Sequence, residues 1–368
     1  MDLTTARRIL AAAGGLAFGA ALLAAPAHAA PSPAAPSRTA PSHTAPRLGW
    51  ELKPTGVEAR FRGLAAVDRN VAWAAGSGGN VLRTVDGGRT WRKVAPPDAA
   101  GLEFRDVEAF DADRAVVLAI GEGDASRVYR TVDGGRTWAL GFRNDDPRAF
   151  YDCMTFFDRR NGLAMSDPVD GRFRILATSD GGASWRVLPS AGMPPALEGE
   201  AGFAASGQCL VSHGSRNVWM ATGGGKASRV FHSRDRGRTW TVAETPLPSS
   251  ASSGVFAVAF RDARHGIAVG GDYRPGRPSP TAAAVTSDGG RTWRAASRPP
   301  AEYRSGLTWP AYSGPAALTV GPTGSDHTLD GGRTWRRFDT GSFDTVDCAR
   351  DGSCWASGEK GRIARLGR

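Results

Sequence analysis

RTVDGGRTW, at residues 83–91 and again at 130–138, decides how this chain is read. Four near-copies follow: ATSDGGASW (177–185), HSRDRGRTW (232–240), VTSDGGRTW (285–293) and HTLDGGRTW (327–335). Reduced to what is shared, each reads Ser/Thr-x-Asp-x-Gly-x-Thr/Ser-Trp. Apolar stretches such as Asn80-Val-Leu-Arg83 and Arg127-Val-Tyr-Arg130 precede the copies and read as strands. Asp-Gly-Gly is turn chemistry: glycine supplies positive φ, and an Asp side chain bonds the backbone two residues on. The phrase is therefore a hairpin turn, and its Trp opens the next strand as a packing anchor. A unit repeating every few tens of residues indicates an array or a propeller. Six identical catalytic centres in one chain make little sense, so Asp86, Asp133, Asp180, Asp235, Asp288 and Asp330 are read as structural.

These residues resemble the Asp box, or BNR repeat, of sialidases, related glycosidases and sortilin-like propellers. In that family the box is the turn between the third and fourth strands of a blade. The chain also resembles the seven-bladed photosystem II assembly and stability factors and their relatives. That likeness is carried by the repeated phrase, by Trp73-Ala-Ala-Gly76 and Trp355-Ala-Ser-Gly358, and by the ending GEKGRIA at 358–364.

The six Asp residues are 47, 47, 55, 53 and 42 positions apart, spacings that suit one four-stranded blade each. The front half of the unit recurs a seventh time, in Asp344-Thr-Val-Asp-Cys348, Ser353-Cys-Trp-Ala-Ser-Gly358 and Gly361-Arg-Ile-Ala-Arg365, but no box follows. The missing strand is available at the other end. Gly49-Trp-Glu-Leu-Lys53 looks like the segment after a box, as in Thr90-Trp-Arg-Lys-Val94. The sequence thus predicts an all-β, seven-bladed β-propeller over residues 48–368, closed by an N-terminal strand that joins the C-terminal blade.

Residues 1–29 read as a signal peptide: Arg7-Arg8, an apolar run from Ile9 to Ala25, and Ala27-His28-Ala29 as the cleavage site. Residues 30–47 are a Pro/Ser/Ala-rich linker. The protein is expected to be secreted or held in the cell envelope, with no transmembrane segment after cleavage. Four cysteines in an exported chain suggest two disulfides. Cys348 and Cys354 flank a predicted hairpin turn, and Cys153 and Cys209 lie at matching places in consecutive blades, so the expected pairs are Cys153–Cys209 and Cys348–Cys354. The formal charge is +10, with Lys nearly absent beside Arg. No nucleic-acid motif accompanies it, and no nucleic-acid partner is expected. A closed ring has no free blade edge, so a monomer is expected.

If the box joins strands three and four, it shares a face with the turns between strands one and two. A ligand funnel then opens on the opposite face. The turns and connections there, with the long segments 141–151, 189–206 and 271–281, supply Asp152, Asp167, Glu198, Glu200, Asp272, Tyr273, Tyr303, Arg304 and Glu359 as candidate ligand-binding residues. Oxygen ligands of this kind suit Ca²⁺ or another hard cation, but no metal and no cofactor is predicted.

The resemblance implies a non-catalytic propeller that binds a protein or a cell-envelope glycan. It also implies a basic Arg patch for a protein partner, with Arg62, Arg105 and Arg304 as candidate counterparts. The alternative is a glycan-active hydrolase or lyase using two funnel carboxylates. A sialidase would show Tyr/Phe-Arg-Ile-Pro near the first strand; Phe173-Arg-Ile-Leu176 lacks the Pro and lies in the third unit. Some relatives carry an oxidoreductase label, but this chain has no dinucleotide fingerprint, no C-x-x-C and no haem motif.

Overall fold

A computed structural model describes residues 48–311 and 313–367. The signal peptide and linker expected at 1–47 lie outside the described residues. The described chain forms seven four-stranded antiparallel sheets arranged as a seven-bladed propeller. Blade 1 is typical: Phe61–Ala66 at the axis, then Ala72–Gly76, Asn80–Thr84 and the short outer strand Arg92–Lys93. Blade 7 combines Thr345–Cys348, Cys354–Ser357 and Ile363–Gly367 with Gly49–Leu52 from the other end of the chain. The closing register runs from Gly49 opposite Gly367 to Leu52 opposite Ala364. Trp50 fixes it further: its Nε1 donates to Ser325 Oγ of blade 6 at 2.9 Å, and its ring lies 5.4 Å from Phe343.

The core sits between blades. Each of the seven blade-to-blade interfaces holds one hydrophobic cluster. The one between blades 1 and 2 contains Trp73, Val81, Phe104, Val117 and Tyr129, with Trp138 packed edge-on against Trp73. Second strands such as Ala72–Gly76 are buried on both sides, which is why they read as unbroken apolar runs rather than alternating ones.

Each repeated phrase folds into the same turn. In blade 1, Thr84 Oγ1 donates to Asp86 Oδ1 (2.9 Å) and accepts from Gly88 N (3.0 Å). Asp86 in turn accepts from Thr90 N (2.9 Å) and Thr90 Oγ1 (2.6 Å). The other five copies repeat these bonds. The residue after the Asp takes positive φ, 76° at Gly87; in blade 4 Arg236 takes it instead, at 62°. A backbone bond ties each turn to the first-to-second turn of its own blade, as from Gly87 N to Asn70 O at 2.9 Å. The repeated turns therefore share a face with the first-to-second turns.

Both expected disulfides form. Cys153–Cys209 links blade 3 to the start of blade 4, with Cα atoms 6.0 Å apart. Cys348–Cys354 is a directly opposed cross-strand pair in blade 7, with Cα atoms 4.1 Å apart. Such pairs fit an oxidising compartment. Among the described residues no helix is long and apolar enough to cross a membrane.

The long connection from blade 3 to blade 4 does more than link them. Its end, residues 202–208, crosses the axis. Gly202 N donates to Asp167 of blade 3 (2.8 Å), and Ala204 O accepts from Arg105 of blade 2 (2.9 Å). Phe203 stacks on Phe256 of blade 5 at 4.1 Å. Ser206 O accepts from Thr345 of blade 7, and the Gln208 amide bridges Val346 of blade 7 to Leu307 of blade 6. One strap thus touches blades 2, 3, 5, 6 and 7 and divides the axial space.

Candidate functional site

Above the strap, on the face away from the repeated turns, lie two adjoining hollows that share Arg105, Phe203 and Ala204. The smaller, about 370 Å³, is walled by Arg60, Arg62, Arg105, Tyr273, Tyr303 and Asp344 and floored by Phe203 and Phe256. Its three arginines come from the inner strands of blades 1 and 2 and the residue before, where the chain enters each blade at the axis. Asp344 answers only part of their charge. It holds Arg60 through two bonds of 2.8 and 2.6 Å and lies 3.7 Å from Arg62. The Arg62 Nε is buried without a hydrogen-bond partner. Burial, then repulsion from Arg62, pulls the Arg105 guanidinium down to about 10, still protonated at neutral pH. Arg105 also lies 3.8 Å from Glu103, a half-exposed carboxylate outside the lining, so the hollow's own walls hold three cations and one carboxylate, beside aromatic rings. Tyr303 packs edge-on against Phe256 at 4.7 Å, and burial holds its phenol well above the usual range. Tyr273 is half exposed at the rim.

The larger hollow, about 560 Å³, is lined by Arg105, Glu122, Arg148, Phe150, Asp152 and Asp167 among others. Asp152, on the inner strand of blade 3, and Asp167, on the second strand, lie within hydrogen-bonding reach of each other. Burial raises both above the ordinary carboxylate range; the Asp167 charge pushes Asp152 up further, while hydrogen bonds from Gly202 N and Asp152 hold Asp167 back to about 6, so the two titrate as a coupled pair.

The remaining candidates are placed elsewhere. Glu200 is buried against Arg229, with further bonds from Thr222 (2.6 Å) and Leu197 N (2.8 Å), so its oxygens are committed to holding the connection on blade 4. Arg304 is fully buried and spans Asp326 (2.7 Å), Thr323 and the Tyr303 carbonyl. Both are built into the frame and are not presented to a ligand. Asp272 lines neither hollow; the Arg274 guanidinium, at 2.5 Å, holds its carboxyl far below the usual range. Glu198 is exposed, and Glu359, on a blade 7 turn, lines neither hollow. Arg60, Phe203 and Phe256 join the site without having been singled out. Arg60 had a signal in its place beside Arg62, and Phe203 in the excess length of its connection.

Below the strap a third cavity, about 490 Å³, is lined by Asp106, Glu108, Asp347, His213, Arg350 and Gln208. Burial raises Asp106 to about 8, although Met154 N donates to it at 2.7 Å. Among the described residues no group of three or more His, Cys, Asp or Glu is arranged to hold a metal ion.

This chain is similar to two solved YCF48 structures. One, "YCF48 bound to D1 peptide", is 16% identical, with a TM-score of 0.60 over 87% of this chain and 97% of that one. The other, YCF48 from Cyanidioschyzon merolae, is 18% identical, with a TM-score of 0.58 over 86% and 98%. A GH74 xyloglucanase from Xanthomonas campestris is also similar, at 15% identity and TM-score 0.58, over 86% of this chain but 53% of the enzyme. At these identities the likeness establishes the propeller fold. No family model and no curated protein matches the sequence.

Proposed function

We propose that this chain is an exported, non-catalytic binding propeller whose partner is a protein of the cell envelope, with a signal peptide cleaved near Ala29. The site is the smaller hollow. One observation carries the reading: Arg60, Arg62 and Arg105 converge over a stacked aromatic floor, with the buried Asp344 and the rim carboxylate Glu103, 3.8 Å from Arg105, as the carboxylates paired with them. That combination suits a protein segment bearing a carboxylate next to an apolar side chain, since guanidinium and carboxylate pair bidentately and the rings bury apolar surface. A protein partner is also in keeping with the solved YCF48 structure of similar fold, which is bound to a D1 peptide. A glycosidase needs its two carboxyls about 5 Å or more apart; Asp152 and Asp167 are near enough to share a hydrogen bond. The test is capture of envelope proteins by the native chain and by an Arg62→Glu/Arg105→Glu variant, each shown to be folded. A partner held by the native chain and released by the variant supports the reading. If the variant keeps every partner, the hollow is not the site.

A further inference from the structure

The larger hollow is opposite in sign to its neighbour at its base. Asp152 is 2% exposed, and its Oδ2 has no hydrogen-bond partner. Asp167 has one oxygen fixed by Gly202 N at 2.8 Å. The bases nearby are engaged elsewhere. Arg105 donates to the Ala204 carbonyl, and Arg148 is held by Asp146 (3.1 Å) and Asp170 (2.7 Å). A buried carboxyl oxygen without a donor is costly, and such atoms ordinarily find one.

We propose that the Asp152–Asp167 hollow is a cation subsite that takes the guanidinium or ammonium group of an arginine or lysine side chain on a partner protein. This deepens the function proposed above and rests on it, for the same segment would place its carboxylate on Arg60 and Arg62. The chemistry favours an organic cation over a metal. Hard cations take six or more oxygens, and this site offers a carboxyl pair with one oxygen already bonded. A guanidinium brings several donors in one plane and suits a carboxylate pair. Phe150 and Phe203 line the same hollow, and aromatic rings attract a cation. Ile120, Pro147 and Ala149 give its methylene stem an apolar wall.

Without a cation, a proton shared by the two carboxyls takes its place. The charged groups facing the pair are Arg105 from the inner strand of blade 2, Glu122 from a blade 2 turn and Arg148 from the connection into blade 3; Gly202, Phe203 and Ala204 of the strap add none. The sign follows. As pH falls through the pair's raised range the carboxyls become neutral and the cation leaves.

Agmatine is a suitable probe because it carries a guanidinium and no carboxylate. Titrated calorimetrically into the full chain at pH 7.5, it is expected to bind at one site and about tenfold more weakly at pH 5. Asp152→Asn and Asp167→Asn should abolish binding, and Arg60→Ala, which touches only the smaller hollow, should not. No binding to the native chain at pH 7.5, or binding kept by both Asn variants, overturns the subsite. Should an Asn variant not fold, equal affinity of the native chain at pH 5 and 7.5 overturns it. Loss of the envelope partner on arginine reversal without agmatine binding refutes this subsite alone. Agmatine binding with no partner lost refutes the arginine reading alone.

Discussion

Thr84 shows what one hydroxyl does six times over. It accepts the buried Gly88 N–H and donates to Asp86. Thr84→Val keeps the shape and orphans that donor, at a cost of about 1–3 kcal/mol in a denaturant melt, with partner binding unchanged. Around the axis, Asp106 carries a different kind of strain. Its carboxyl is raised to about 8 by burial, so folding favours the protonated form. The stability this brings is complete below the ordinary carboxylate range and is lost as pH rises towards 8. The melting temperature should therefore fall between pH 5 and pH 9, and Asp106→Asn, whose amide oxygen can still accept from Met154 N, should flatten that fall. The repeated Asp residues were legible as structural because repetition itself is visible in a sequence. The fates of Glu200 and Arg304 were not legible. Their partners, Arg229 and Asp326, lie 29 and 22 residues away, and only blade geometry brings them together.

Among the elements, the closing strand Gly49–Leu52 and the axial strap mark the two limits of sequence reading. The strand was legible because it copies the segment after a repeated turn, so its place in a blade followed from likeness to its siblings. The strap has no sibling. Its length was visible, but its contacts with five blades arise from the ring as a whole. Trp50 is the anchor of the closing strand, half buried between Ser325 and Phe343. Trp50→Ala should cost about 2–3 kcal/mol, less than a fully buried Trp, and should be read by the melting temperature. Phe203→Ala should weaken partner binding while leaving the repeated turns intact, because its ring floors the smaller hollow from the strap.

Over the whole molecule, seven similar interfaces share the stability, so no blade is independent of its neighbours. The two disulfides act on this ring unequally. Cys153–Cys209 spans 56 residues and joins adjacent blades; Cys348–Cys354 spans 6 within one hairpin. Loop-closure entropy assigns the first about 4 kcal/mol and the second about 2 kcal/mol. The Cys153→Ser/Cys209→Ser variant should therefore melt lower than Cys348→Ser/Cys354→Ser. The six repeated turns, the seventh blade and both cysteine pairs were readable from local pattern. The Arg60–Arg62–Arg105 convergence was readable only in part, because a propeller gathers at its axis residues that the chain keeps a blade apart.

Closure by the first strand also sets a clock on biosynthesis. Gly49–Leu52 leaves the ribosome early, but its partner Ile363–Gly367 is made some 300 residues later. At about 5–20 residues per second that wait is roughly 15–60 s. Throughout it the segment is an unmated edge that any other nascent chain could pair with. Glu51 and Lys53, joined by a 2.5 Å ion pair in the finished ring, put charge on that edge while it waits.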